Sequence, residues 1–372
     1  MKQGWTYKRL NEVCDKGSSN VVINKLEDNN GNYPLFGASG LVKNVDFYHQ
    51  DKPYIGIVKD GAGVGRVNTY PAFSSLVGTM QYIFAKENCL LNYIKYFLIK
   101  LDLSHCVSGA TIPHIYFKDY GKEKIPVPSI EIQQSIVAEL DKINELIELK
   151  KSQLSNLDDL SQSIFFDMFG DPVENEKGWD VKKLGDICNK IGSGATPRGG
   201  NESYKNEGIS LIRSLNVYNN EFRYKDLAFI DEEQADALSN VVVSSQDVLL
   251  NITGASVARC CIVPDDILPA RVNQHVCIIR AKSVTVPIFL NYLLTNCSYQ
   301  NHLLSLAKSK AATREALPKS IVENLRIILP PLPLQQSFAN RISAIEQQKK
   351  RVSESINDLE TLLASRMQYW FD

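Results

Sequence analysis

The side chains able to do chemistry are spread along this chain without the spacings that chemistry needs. Eight cysteines stand at positions 14, 89, 106, 188, 260, 261, 277 and 297, none in a CxxC pair. They indicate neither a zinc site nor a dithiol redox couple, and read as buried thiols that pack like small apolar side chains. The five histidines show no metal-ligand spacing and are given no ligand role. The loop GAGVG (61–65) would cradle phosphate only at the N-terminus of a helix. RVNTY (66–70) reads as a strand instead, so the glycines mark a hairpin turn. The chain also lacks a Walker GxxxxGK[ST] loop, an HExxH pair and the Asn-Pro-Pro-aromatic motif of adenine methylation.

Length and composition frame what must position any binding residues. A chain of 372 residues with 44% hydrophobic side chains has room for two globular cores. No apolar run approaches the roughly 18 residues of a membrane helix, and MKQGWTYKRL lacks the apolar stretch of a secretory signal, so a cytoplasmic protein is expected.

The strongest signal is a repeat. GWTYKRLNEVC starts at Gly4, and GWDVKKLGDIC starts 174 positions later at Gly178. DGAGVGR (60–66) then faces TGASVAR (253–259), and Gln81 faces Gln274, both at an offset of 193. KYFL (95–98) faces NYLL (291–294) at 196, and from Ala110 against Ala312 the offset holds at 202. Matches that keep their order while the offset grows through loops describe one module used twice. The second copy carries 28 extra residues in its front part.

Each module has two unlike parts. The fronts, residues 4–128 and 178–329, hold short β-branched runs between turns, among them YIGIV, MQYIF, VVVSSQDVLLNI and HVCIIR. Each also has a helical stretch, NYIKYFLIKL or PIFLNYLLTN, so the fronts are α+β. After PVPS (126–129) and PPLP (330–333) come about forty residues free of proline and glycine, predicted as long helices over 129–177, with a linker, and 330–372.

Those helices repeat apolar residues in steps of four and three, the seam of a coiled coil. In the first copy the seam is Ile136, Leu140, Ile143, Ile147, Lys150, Leu154, Leu157, Ser161, Ile164 and Met168. In the second it is Phe338, Ile342, Ile345, Lys349, Val352, Ile356, Leu359, Leu363, Arg366 and Trp370. Forty residues make a helix about 60 Å long. Only the short GDPVENEK separates the first helix from the second front part, so the second helix must run back along the first. The expected architecture is a central antiparallel pair of long helices with pseudo-two-fold symmetry, joining two tandem α+β domains.

Charge separates the parts. Lys and Arg outnumber Asp and Glu by 14 to 11 over residues 4–128 and by 17 to 15 over 178–329, whereas residues 129–177 carry 4 against 11. A phosphate backbone would favour the fronts and avoid the helix. Two readers related by two-fold symmetry also suit the local symmetry of duplex DNA.

The chain resembles, end to end, the specificity subunits of type I restriction-modification systems. The stretches that carry the resemblance are GWTYKRL and GWDVKKL, GNYPLFGASG (31–40), GSGATPRGG (192–200), SGATIPHI (108–115), and the helix starts PVPSIEIQQSIV and PPLPLQQSF. Where the family usually has Glu-Gln, both copies have Gln-Gln, at 133–134 and 335–336. The resemblance implies two target recognition domains, 1–128 and 178–329, each reading one half of a split site in double-stranded DNA. It also implies two methylation subunits, which carry S-adenosylmethionine, together with restriction subunits that translocate and cut. This chain would itself be non-catalytic and hold no cofactor or metal.

For reading DNA, arginines in turn-rich segments are the best candidates, because a guanidinium can pair twice with guanine or hold phosphate. Lys59 and Arg66 stand out in the first domain, and Arg198, Arg213, Arg259, Arg271 and Arg314 in the second. Gln81, His114, Asn216 and Gln274 could hydrogen-bond bases. The helix-pair interface is expected at Leu140, Ile143, Leu154, Leu157, Ile342, Ile345, Ile356 and Leu359. A coiled-coil scaffold that binds no DNA is the competing expectation.

Overall fold

The structure is a computed structural model that describes residues 4–109, 111–197, 199–309 and 315–372, the side chains of Asn201 and Ser309 excepted. It divides into two compact units, residues 1–152 with 352–372, and residues 153–351.

In the first unit the strands are β1 Thr6–Arg9, β2 Cys14–Ser18, β3 Tyr33–Gly37, β4 Gly40–Val45, β5 Tyr54–Val58, β6 Val67–Tyr70, β7 Ser75–Leu76, β8 Met80–Ala85 and β9 Lys124–Val127. A four-stranded antiparallel sheet has the order β2-β8-β5-β6. In a smaller sheet β3 runs antiparallel to β4 and parallel to β7. All five residues of β5 are buried, which is why YIGIV is an unbroken apolar run: both faces of the strand are covered. Ile55 and Ile57 share a core with Tyr93, Ile94 and Phe97 of the helix Leu91–Leu101, while Tyr54 and Val58 join Leu35, Tyr70 and Tyr82. Its third position is Gly56 because a Cβ there would lie 2.5 Å from the Tyr70 ring.

The second unit repeats this plan. Its strands are β10 Val181–Lys183, β11 Cys188–Ser193, β12 Ile209–Ile212, β13 Val217–Tyr218, β14 Glu221–Phe222, β15 Ala228–Ile230, β16 Val248–Asn251, β17 Cys260–Ile262, β18 Ala270–Val272, β19 Val276–Ala281 and β20 Arg326–Ile328. The order β11-β19-β16-β17 matches β2-β8-β5-β6, and β12 runs antiparallel to β15 and parallel to β18, as β3 does to β4 and β7. β1 pairs with β9, and β10 with β20, so each front part begins and ends in one two-stranded ribbon. Insertions account for the second copy's extra length. Where Ala38 and Ser39 link β3 to β4, residues 213–227 link β12 to β15 and carry the hairpin β13–β14.

The structure departs from two sequence expectations. Within VVVSSQDVLLNI only Val248–Asn251 is strand. Ahead of it, Gln246 adopts φ +64° and the Asp247 carboxylate accepts the Ser244 N–H, which bends the chain. The pairing of Gln81 with Gln274 is also displaced. Ile57 faces Gln81 across β5 and β8, and Leu250 faces Cys277 across β16 and β19, so the counterpart of Gln81 is Cys277.

The long helices span Ile130–Phe169 and Leu332–Phe371, 40 residues each. Pro333 lies in the first turn of the second, where a missing N–H costs no intrahelical bond. In the first unit Arg366 donates to Glu139 and Lys151 pairs with Glu360 at 3.7 Å. In the second, Lys349 meets Asp158 at 2.7 Å, and Phe338 meets Phe165 and Phe169. Within each unit the two segments are therefore antiparallel. Of the expected interface residues, Leu140, Ile143, Leu157, Ile342, Ile345 and Ile356 are buried, and Leu154 and Leu359 are half-buried.

Toward each C-terminal end the stripe slips by one position. Phe165 and Phe169 are buried in place of Ile164 and Met168, and Met367 and Phe371 in place of Arg366 and Trp370. A straight helix of 3.6 residues per turn drifts from a seven-residue repeat. The final turns also face aromatic rings of the fronts: Phe169 meets Phe289 at 4.8 Å, and Phe371 meets Tyr93 at 5.0 Å.

Each long helix is fastened to its front part by the first glutamine of the Gln-Gln pair. Gln133 is fully buried, accepts the Leu90 N–H at 2.9 Å and donates to the carbonyls of Asn88 and Pro128 at 3.1 and 3.0 Å. Gln335, also fully buried, accepts the Val286 N–H at 2.9 Å and donates to Val284 and Pro330 at 3.4 and 2.8 Å.

Candidate nucleic-acid interface

In both units the loop after the inner strand of the main sheet meets a distant segment through an isolated bridge. Asp60 bridges to His114, and Thr253 bridges to Ala316. Several candidate residues gather at these two places.

In the first unit Gly61, Gly63 and Gly65 all have positive φ and turn β5 back into β6, the hairpin that RVNTY implied. Arg66 is exposed, with its guanidinium so close over Gly63 that a Cβ there would be 2.8 Å from Cζ. Lys59 Nζ lies 3.7 Å from Asp60, and His114 Nδ1 lies 3.7 Å from the same carboxylate. The His114 ring stands 5.9 Å from exposed Tyr116, over which Lys118 sits at 5.2 Å. Lys59, Arg66 and His114 thus share one loop cluster. Gln81 does not join them. It is 6% exposed and donates to the Tyr120 hydroxyl, so it presents no edge to a base.

In the second unit Arg259 stacks on Tyr218, with Cζ 4.3 Å from the ring centroid, and Arg223 lies 3.4 Å from that centroid while pairing with Glu221 at 3.2 Å. The Thr253 hydroxyl meets His275 Nδ1 at 2.5 Å. Gln274, exposed, approaches His275 Nε2 at 3.1 Å and accepts from the Thr196 hydroxyl. Arg259, Thr253 and His275 line a cavity of about 280 Å³.

Three other candidates are engaged by backbone groups of the fold. Asn216 is fully buried, accepts the Arg213 N–H at 3.0 Å and donates to the Arg223 carbonyl at 2.8 Å, which fixes the turn into β13 and leaves no face for DNA. Arg213 donates to the Asp226 carbonyl and covers the Tyr204 ring at 5.2 Å. Arg271 donates to the carbonyls of Ala235 and Ala270, each at 3.1 Å. Arg198 and Arg314 lie outside the described residues.

Sequence reasoning passed over Tyr218, Arg223 and His275. The turn signal YNNE (218–221) was available, and Asn220 does adopt φ +57° there. No local pattern, however, places Arg223 and Arg259 on one ring.

Among the cysteines, burial pushes the thiols of Cys14, Cys89, Cys188, Cys261 and Cys277 up to about 12, and that of Cys260 well above its ordinary value. The expectation of buried thiols fails for Cys106, which is half-buried, and for Cys297, which is exposed. Among the described residues no group of three His, Cys, Asp or Glu is placed to hold a metal, and no helix is long and apolar enough to cross a membrane.

Comparison with known proteins bears on what these clusters serve. The family described as the type I restriction modification DNA specificity domain matches residues 2–158 and again 176–361. The type I restriction enzyme MjaIX specificity subunit of Methanocaldococcus jannaschii is 27% identical over 311 residues, which is 78% of this chain and 68% of that one. The MjaVIII specificity subunit of the same organism is 24% identical over 290 residues, 73% of this chain and 67% of that one. The crystal structure of a type I restriction-modification S subunit from M. genitalium shares the fold, with a TM-score of 0.59 at 15% identity, covering 99% of this chain and 96% of the other. The two family matches fall on the same two copies that the repeat and the sheet orders define: the chain belongs to the type I restriction-modification DNA specificity family, as a sequence-recognition subunit.

Proposed function

We propose that the chain reads a split target in double-stranded DNA, with residues 1–128 and 178–329 as two recognition domains that each contact one half. One observation carries this reading. The two copies share sheet order and strand pairing, yet the side chains at equivalent loop positions differ. Asp60 and His114 in one copy stand against Thr253 and Ala316 in the other. A common scaffold with divergent loops suits two readers of different sequences, because base readout depends on the few side chains that reach the grooves.

Assembly follows from the same reading. Two methylation subunits carrying S-adenosylmethionine dock on this chain, and restriction subunits join them in the cytoplasm. The chain itself is non-catalytic and holds no cofactor. Leu146, Leu149 and Leu362 of the long helices are exposed in the first unit, which supports a protein partner there.

Exchanging residues 4–128 for the equivalent part of another such subunit tests the proposal through methylation mapping of the assembled complex. One half of the target should change and the other remain. A change in both halves overturns the assignment of one half per domain. Absence of duplex binding by the unaltered complex favours the scaffold instead.

A further inference from the structure

The cavity beside Tyr218 has the composition of an anion site. Its cation is Arg259, which pairs with no carboxylate among the described residues, whereas its neighbour Arg223 answers Glu221. Ser214, Thr253, Ser256 and His275 supply further polar groups to the wall, and among the described residues no Asp or Glu lines it. Contact with the tyrosine ring restrains the Arg259 guanidinium, so less side-chain freedom is lost when it binds.

The geometry points to a seat for one phosphate of the DNA backbone, with Arg259 as its clamp. The inference rests on the DNA-reading function proposed above and says which kind of contact this residue makes. Shape decides between phosphate and base. A base edge lies at the floor of a groove and is met by side chains that protrude, while a phosphate stands out from the duplex and enters a hollow. Arg259 lies within a hollow, half-buried.

The first unit does not build this seat. Arg66 occupies the place of Arg259, but the short link Ala38–Ser39 stands where the second unit has the hairpin that carries Tyr218. Asp60 replaces Thr253, with a carboxylate that repels phosphate. The clamp is therefore a property of the second domain, where it sets position on the duplex without reading sequence.

The test uses the complex with methylation subunits and two duplexes, one bearing the mapped target and one with its second half scrambled, titrated at several salt concentrations. Arg259→Ala should weaken both by a similar factor, on the order of tenfold, and lower the salt slope by about one. The methylation map should not change. Thr253→Asp, which imports the residue already tolerated in the first unit, should weaken both duplexes in the same way. Loss of preference at particular base pairs, with binding to the scrambled duplex unchanged, would make Arg259 a base reader and overturn the inference. Unchanged binding of both duplexes by Arg259→Ala and Thr253→Asp also overturns it while leaving the DNA-reading function standing. Failure of the wild-type complex to bind duplex DNA sinks that function and the clamp together.

Discussion

Replacing Gln133 with leucine keeps most of the side-chain volume and removes three hydrogen bonds at once. The Leu90 N–H and the carbonyls of Asn88 and Pro128 lose their partner. Asn88 is exposed, so water can answer its carbonyl, but the Pro128 carbonyl is buried and the Leu90 N–H half-buried. With about 1–3 kcal/mol for a buried group left unsatisfied and about half of that for the half-buried N–H, the loss is about 2–4 kcal/mol. A chain of two units need not unfold in one step, so the measurement is amide hydrogen exchange read by peptide. Protection of the helix Leu91–Leu101 should fall between about thirtyfold and several hundredfold at one decade per 1.4 kcal/mol. Gln335→Leu should do the same to Pro287–Thr295 through the Val286 N–H and the Pro330 carbonyl. Gln134 and Gln336 are exposed, and their leucine variants serve as controls. Equal, small effects at Gln133 and Gln134 would refute the reasoning, because the energetic distinction rests entirely on which glutamine faces inward.

Three further outcomes are expected. Phe338→Ala should destabilise the second unit by about 3–5 kcal/mol, read as lost amide protection of the helix Pro287–Thr295, since Phe338 is fully buried against Phe165, Phe169 and Tyr292, while Ala at exposed Phe166 should change it by no more than about 0.5 kcal/mol. The hydrogen bond from Arg366 holds the Glu139 carboxyl below its usual range, against burial and with help from the Trp370 N–H. The stability from that pairing is present above the ordinary glutamate pKa and lost as pH falls through the depressed value, so Glu139→Gln should unfold more easily than wild type at neutral pH and match it in strong acid. Maleimide at neutral pH should label Cys297 first on peptide mapping, because the buried thiols form almost no thiolate there; rapid labelling of Cys260 or Cys277 would show that the sheet opens readily.

The duplication, the α+β fronts and the two forty-residue helices were legible in the sequence, because each rests on a local regularity: a repeated string, a period of two or a period of 3.5. The same regularity placed Leu140, Ile143, Ile342 and Ile345 in the buried stripe. It failed at the helix ends, where Phe165 and Met367 turn inward, since there the stripe must meet the front parts as well as the other long helix, as Phe165 does between Phe289 and Phe338. Which polar residues face outward was decided by tertiary structure alone. Gln81 and Gln274 look alike in the sequence, but three more residues intervene between β16 and β19 than between β5 and β8, which leaves Gln274 on the surface and Gln81 under Tyr120. Asn216 and Arg259 are both polar residues near turns; one is used up by backbone groups within the fold, and the other is held open on a ring contributed by a hairpin some forty residues away. A side chain's type is local information. Whether its hydrogen bonds are already taken depends on strand register and loop length, and those are set only when distant segments pair.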